Sequence, residues 1–316
     1  MLLAAIGISL AGGCGRAPDP PGEGWTVVTR LPTARGELAA AVLGDRILVM
    51  GGMTGLGSSS DLVEAYDLIS GRWSTLAPLP RPLNHAASTT LNGVVYVVGG
   101  SEDFLRGAPL PSVYAYDLAG ELWRPRADMP EGRWAPGAAA VGGRLYVIGG
   151  TGGTVPSPVM IYDPAEDAWS EGAALPTARD HLGVVAWEGR IFVIGGRAEN
   201  QNLSLVEIYD PGADTWSQGA PMPTARSGMA AVALENRIYV MGGENPASVD
   251  QVYSENEAYN PVSDRWSPAP PLPTPRHGVA GVAAGGRLFL LGGSTNPGAL
   301  SFLAWADVVE AFSPAQ

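Results

Sequence analysis

The sequence predicts an all-β protein in which six copies of one four-stranded antiparallel sheet are arranged around a common axis. Three observations predict it. A glycine pair closes an apolar run six times, its first member being Gly51, Gly99, Gly149, Gly195, Gly242 and Gly292. A tryptophan stands 26 residues before each pair, at Trp25, Trp73, Trp123, Trp169, Trp216 and Trp266. The last copy stops before any tryptophan, whereas Trp25 at the other terminus has no tyrosine ahead of it. A period of 46 to 50 residues marks a repeat architecture. The 316 residues are therefore read as one closed body (25–316) behind a short leader, although length alone would suggest about two domains.

The chain opens Met1-Leu2-Leu3-Ala4-Ala5-Ile6-Gly7-Ile8-Ser9-Leu10-Ala11-Gly12-Gly13-Cys14, an apolar run too short to span a membrane as a helix. Residues 1–14, with small residues ahead of the single cysteine, resemble a bacterial lipoprotein leader in which Cys14 is lipidated. That resemblance implies an exported protein, periplasmic or at the cell surface, touching membrane only through a lipid anchor. Residues 15–24, with Pro18, Pro20, Pro21, Gly22 and Gly24, read as a tether. One cysteine excludes an internal disulfide, so stability must come from packing. The net charge is −12 and every basic residue is Arg, which argues against nucleic acid and against an anionic membrane surface as partners.

Within a copy, Leu175-Pro176-Thr177-Ala178-Arg179 is a proline-bearing loop and Asp180 to Trp187 a short first strand. A Glu188-Gly189 turn leads into a second strand, Arg190 to Ile194, that ends at the glycine pair. A variable loop follows, then a third strand at Leu205 to Tyr209, a turn, and a fourth strand opening at Trp216. Such a sheet exposes too much apolar surface to stand alone, and stacking copies around an axis buries each face. First strands such as Ser227 to Ala233 and His277 to Ala284 are rich in Gly and Ala, as strands converging on an axis require. The outer tryptophans have room and bury about 150–250 Å² each.

The glycine pair after an apolar strand, followed by Tyr and then Trp seven residues later (Tyr66/Trp73, Tyr116/Trp123, Tyr162/Trp169, Tyr209/Trp216, Tyr259/Trp266), resembles the kelch repeat. The resemblance covers Trp25 to about Phe312 and implies a six-bladed β-propeller. Trp25-Thr26-Val27-Val28-Thr29 is expected to supply the fourth strand of the blade whose other three come from residues 277–312, which removes an open sheet edge. From first Gly to third-strand aromatic the copies count 15, 17, 13, 14, 17 and 20 residues, so length variation is confined to one set of loops. Variable loops on a rigid scaffold are where binding usually lives. The longest are Ser101 to Ser112, Glu244 to Ser254 and Ser294 to Asp307, the last offering Phe302, Leu303 and Trp305 as a cap on the channel or a contact with a neighbouring blade.

Ten residues after each tryptophan come Arg35, Leu83, Arg133, Arg179, Arg226 and Arg276. Five arginines at the mouths of the innermost strands read as ligand contacts for an anion or sugar acid, because guanidinium binds carboxylate bidentately. The alternative is scaffold: Glu64, Glu207, Glu257 and Glu310 stand two residues before the third-strand aromatics, where they can pair with these arginines. Departures from the repeat say more. Glu37, Asn84, His85, Trp134, Asp180, His181 and His277 stand where other copies have Gly, Ser or Ala. They are the candidates for ligand contact or acid/base work, with Glu37, Asp180 and His181 foremost for catalysis. A metal is not expected, because the three histidines fall in alternate blades and the axis should hold those blades too far apart for one ion.

Two functions follow. Kelch propellers are most often interaction scaffolds, which implies a non-catalytic monomer, needing no cofactor, that offers its loop face to a glycan or a protein partner. The chain is also similar in size and blade number to periplasmic kelch epimerases of N-acetylneuraminate, which implies a small acidic sugar in the channel and an acid/base carboxylate. Galactose oxidase shares the kelch blades but needs a Cys crosslinked to a Tyr copper ligand. Cys14 lies in the leader, so copper oxidase chemistry is set aside.

Overall fold

The computed structural model describes residues 24–314, apart from positions 105, 106, 156 and 249. Cys14, the leader 1–14 and all but Gly24 of the expected tether lie outside the described residues. Six four-stranded antiparallel sheets form a six-bladed propeller. Five are contiguous in sequence, spanning 39–75, 87–125, 137–172, 183–218 and 230–269. The sixth joins Ala280–Ala284, Arg287–Leu291 and Val308–Ser313 to the N-terminal strand Gly24–Arg30, with Trp25 opposite Phe312. The expected closure is therefore the observed one. No helix among the described residues is long and apolar enough to cross a membrane.

The repeat positions act as connectors between blades. Indole N–H groups of Trp123, Trp169, Trp216 and Trp266 each donate to a backbone carbonyl of the preceding blade, at Ala77, Ala127, Ala173 and Ala220. Trp25 closes the circuit by donating to the Pro270 carbonyl at 2.8 Å. Tyr162, Tyr209 and Tyr259 donate to Asp167, Asp214 and Asp264, whose carboxylates accept backbone N–H groups of the same preceding blades. Second strands such as Arg190–Ile194 are buried on both faces, which is why they read as unbroken apolar runs.

The glycine pair works at the seam between blades. The Gly100 N–H donates to the Arg133 carbonyl of the next blade at 2.8 Å. Gly99 has φ +68°, and a Cβ there would lie 2.6 Å from that same carbonyl oxygen. Only glycine has both the conformation and the room.

One boundary differs from expectation. Innermost strands begin about three residues later than the sequence suggests, at Gly183, Ala230 and Ala280 rather than at Asp180, Ser227 and His277. In each copy the first of those residues makes a single bridge to the residue after the glycine pair, as in Asp180 with Arg197 and His277 with Ser294. The next residue turns the chain, and that turn builds the mouth of the axis.

Candidate functional site

Two residues beyond each arginine position stand Glu37, His85, Ala135, His181, Gly228 and Gly278. All six are in the left-handed region, with φ of 51°, 52°, 52°, 50°, 65° and 60°. Each N–H donates to the carbonyl of its counterpart in the preceding blade. His85 donates to Glu37, Ala135 to His85, His181 to Ala135, Gly228 to His181, Gly278 to Gly228 and Glu37 to Gly278, at 2.8–3.2 Å. These six hydrogen bonds form a closed ring around the axis. An L-residue held this way costs about 1–2 kcal/mol, yet four of the six positions are not glycine. Strain retained at adjoining positions of a ligand-sized opening marks them as functional candidates.

Outward of this ring lies a cavity of about 490 Å³, within the range of small-ligand sites. Glu37, His85, His181, Arg197, Glu244 and His277 give it polar walls, and Phe104, Phe302 and Trp305 apolar ones. The long loop Ser294 to Asp307 carries a short 3-10 helix, Gly298–Leu303. Of its expected caps, Phe302 and Trp305 line the cavity, Trp305 donating to the Gly55 carbonyl of the first blade at 2.9 Å, whereas Leu303 is exposed.

Hydrogen bonds fix the imidazoles. The Asn84 side-chain oxygen accepts from the Trp134 indole N–H at 3.3 Å and faces His85 Nδ1 at 2.6 Å. A carbonyl oxygen only accepts, so His85 carries its proton on Nδ1 and turns the Nε2 lone pair toward Glu37 Oε2, 3.3 Å away. Asp180 Oδ1 accepts from His181 Nδ1 at 2.5 Å and from Arg197 Nε at 3.0 Å. Arg197 also reaches His181 Nε2 at 3.1 Å and Glu244 at 3.2 Å. His277 Nε2 lies 3.3 Å from Glu244 and 3.1 Å from Ser301 Oγ. Burial first, and then the charges of His181, Arg197 and His277, hold the His85 pKa well below the usual imidazole range. Burial alone would raise Asp180. The His181 hydrogen bond and the Arg197 charge outweigh it and keep Asp180 a carboxylate below its ordinary pKa.

All seven residues that depart from the repeat thus come together at the mouth: Glu37, Asn84, His85, Trp134, Asp180, His181 and His277. Trp134 packs beneath the histidines rather than lining the cavity, its ring centroid 4.3 Å from that of His85. The expectation that alternate blades hold their histidines too far apart is corrected, since the His85 and His181 ring centroids are 5.1 Å apart. The backbone ring is the reason: direct hydrogen bonds between neighbouring blades neck the axis down just where these side chains start.

The arginine reading is also corrected. Arg35, Arg179, Arg226 and Arg276 are buried and pair with Glu64, Glu207, Glu257 and Glu310. Arg179 spends three further donors on the carbonyls of Thr177, Val193 and Gly195 at 2.8–3.0 Å. Arg133 is taken by Glu131 and Ser157. None of the five is free to bind an anion in the axial cavity. Sequence reasoning missed Arg197 and Glu244. Both directly follow a glycine pair, where other copies carry Met53, Ser101, Thr151 and Ser294, so the same comparison of copies applied one strand later would have found them.

Comparison with known proteins agrees with this architecture. Residues 23–175 and 171–293 match the family model described as KLHDC2/KLHL20/DRC7 Kelch-repeats domain. Among curated proteins, the chain is 34% identical over 106 residues to Kelch-like protein terF of Aspergillus terreus, covering 29% of this chain and 23% of that protein. It is 39% identical over 83 residues to Kelch-like protein 34 of Homo sapiens (26% and 13%). It is 36% identical over 76 residues to Beta-scruin of Limulus polyphemus (24% and 8%). The chain therefore spans less than a quarter of the length of each of these relatives. The solved structure titled "Structure of YjhT" superposes with a TM-score of 0.77 at 17% identity, over 91% of this chain and 97% of that one, a likeness of fold alone.

Proposed function

This chain belongs to the kelch-repeat family, and from that premise we propose that it is an exported, non-catalytic binding propeller whose loop face takes a protein partner, one group of which enters the axial cavity. The observation that carries this reading is apolar surface gathered on the loops around that cavity. Leu56, Phe104, Leu300 and Leu303 are 83%, 41%, 44% and 61% exposed, and they stand on loops of the first, second and sixth blades. Exposed apolar side chains beside a polar-walled socket suit a partner that covers the face and anchors one residue in the middle. Export rests on the apolar opening stretch that ends at Cys14.

A photo-crosslinking residue placed at Leu56 or Leu303, in cells that make the protein naturally, tests it. Crosslinks to a defined partner are expected from these sites and not from Leu118 or Val262 on the turns between third and fourth strands. Equal labelling from both sets would overturn the loop-face reading.

A second reading is an uncharged sugar in the same cavity, favoured by a lining that combines the aromatic rings of Phe302 and Trp305 with the hydrogen-bonding groups of Glu37 and His85. An acidic sugar fits less well. Its carboxylate would meet Glu37 and Glu244 with Arg197 as the near cation, and Arg197 is already shared between Glu244 and Asp180.

A further inference from the structure

The axial mouth combines three features that a binding face alone does not need. The first is donor type. Glu37, His85 and His181 can each turn one ligand atom into the opening, all within 4.8 Å of one another. Two imidazole nitrogens and one carboxylate suit zinc and its first-row neighbours, whereas calcium and magnesium take oxygen sets. The second is outer support. His85 Nδ1 is held by Asn84 and His181 Nδ1 by Asp180, at 2.6 and 2.5 Å. Each leaves Nε2 as the lone-pair nitrogen, that of His85 facing Glu37 and that of His181 accepting from Arg197, and such outer support is what orients metal-binding histidines. The third is backbone. All three residues belong to the hydrogen-bonded ring and share its left-handed conformation, which fixes where each side chain starts and is retained at a cost glycine would avoid.

We propose that Glu37, His85 and His181 form a site for one divalent transition-metal ion of the zinc class, with its remaining coordination positions open to the axial cavity. Bonds of about 2.0–2.1 Å to a tetrahedral ion set neighbouring donors about 3.3 Å apart. Glu37 and His85 already stand at that spacing, so it is His181 that draws inward on binding, by up to about 1.5 Å. One contact is exchanged: the metal takes His181 Nε2 from Arg197, which keeps its bonds to Asp180 and Glu244. Glu37 Oε2 and His85 Nε2, two lone-pair-bearing atoms facing each other at 3.3 Å, gain a cation between them. The site does not depend on any partner on the loop face, and its test is separate from the crosslinking one.

The test uses the full chain, treated with chelator, dialysed and titrated calorimetrically with Zn²⁺. One equivalent per chain is expected, with affinity falling at least about 100-fold in His85→Ala and in His181→Ala, and about 10-fold in Asp180→Asn, which removes the outer support of His181 and one carboxylate partner of Arg197 but no metal ligand. Circular dichroism and a thermal melt confirm that each variant folds. Co²⁺ supplies the second readout on the wild type itself. Four- or five-coordinate cobalt bound to imidazole gives visible d–d absorption far stronger than the hexaaqua ion, and that absorption should weaken in Asp180→Asn. The absence of saturable Zn²⁺ binding, a cobalt spectrum like that of the free ion, or one equivalent retained undiminished in folded His85→Ala and His181→Ala would each overturn the proposal.

Discussion

Two alanine substitutions separate what the glycine pair contributes through conformation from what it contributes through space. Gly99 and Gly228 have nearly the same φ, +68° and +65°, so replacing either by Ala incurs the same backbone strain of about 1–2 kcal/mol. A smaller unfolded-state entropy, worth about 0.4–1 kcal/mol, offsets part of this equally in both. Their surroundings differ. The nearest atom to a Cβ at Gly228 is 3.5 Å away, ordinary van der Waals contact, whereas at Gly99 it is the Arg133 carbonyl oxygen at 2.6 Å. That oxygen is main chain and also accepts the Gly100 N–H at 2.8 Å, so it cannot retreat without opening the seam between the second and third blades. Losing that buried bond costs about 1–3 kcal/mol more. Gly99→Ala is therefore expected to destabilise by about 2 kcal/mol more than Gly228→Ala, or about 3 °C in melting temperature at about 2 cal/mol/K of unfolding entropy per residue. Urea unfolding followed by tryptophan fluorescence, with the slope m unchanged, measures the difference. Equal losses, or a larger loss at Gly228, would show that conformation alone selects these glycines.

Two further predictions concern buried charge. Glu310→Ala leaves Arg276 charged and unpaired where both side chains are fully buried, and should cost about 3–5 kcal/mol. Arg276→Met combined with Glu310→Leu should recover much of that loss in the same unfolding assay, and a double variant as unstable as the single one would refute the ion-pair account. The depressed pKa of His85 makes stability depend on pH. As pH falls through about 6.5 the unfolded chain takes up a proton at this residue and the folded one does not, so stability declines toward acid, by up to about 1.4 kcal/mol per pH unit. Between pH 7.5 and 5 this residue should account for up to about 2 kcal/mol, seen as a flatter stability profile in His85→Asn, which keeps a side chain tolerant of left-handed φ. Parallel profiles for wild type and variant would refute it.

The fold was legible because every connector between blades recurs. The Trp and the glycine pair mark bonds that all or most blades make, and the Tyr–Asp pair marks one that three make, so the copies repeat much of the same text. The ambiguity over the arginines was only partly resolvable in the sequence. Where the second blade has Leu83 in place of Arg, the position two before Tyr116 is Tyr114 rather than Glu, so arginine and partner are lost together. That joint loss points to an ion pair, but the third blade breaks the pattern, keeping Arg133 with Met160 in the glutamate's place and meeting the guanidinium with Glu131 and Ser157 instead.

The site was legible only as a set of exceptions. Glu37, Asn84, His85, Trp134, Asp180, His181 and His277 were picked out because they break the repeat, and they converge. What pattern could not supply was their separation. Reading Asp180 and His277 as the starts of strands placed them at the spacing of the inner strands, with alternate blades well apart. The left-handed turn one residue later brings neighbouring chains to hydrogen-bond distance, 2.8–3.2 Å, and with only Ala135 between them His85 and His181 meet. Gly228 and Gly278 carry a trace of that turn, because paired positions filled by glycine signal positive φ. Glu37, His85 and His181 hide it, since nothing in their identity says they adopt a conformation glycine would take more cheaply. The residues that make the site chemically capable are the same ones that conceal its geometry, so a scaffold read from what repeats and a site read from what does not are joined only by the backbone.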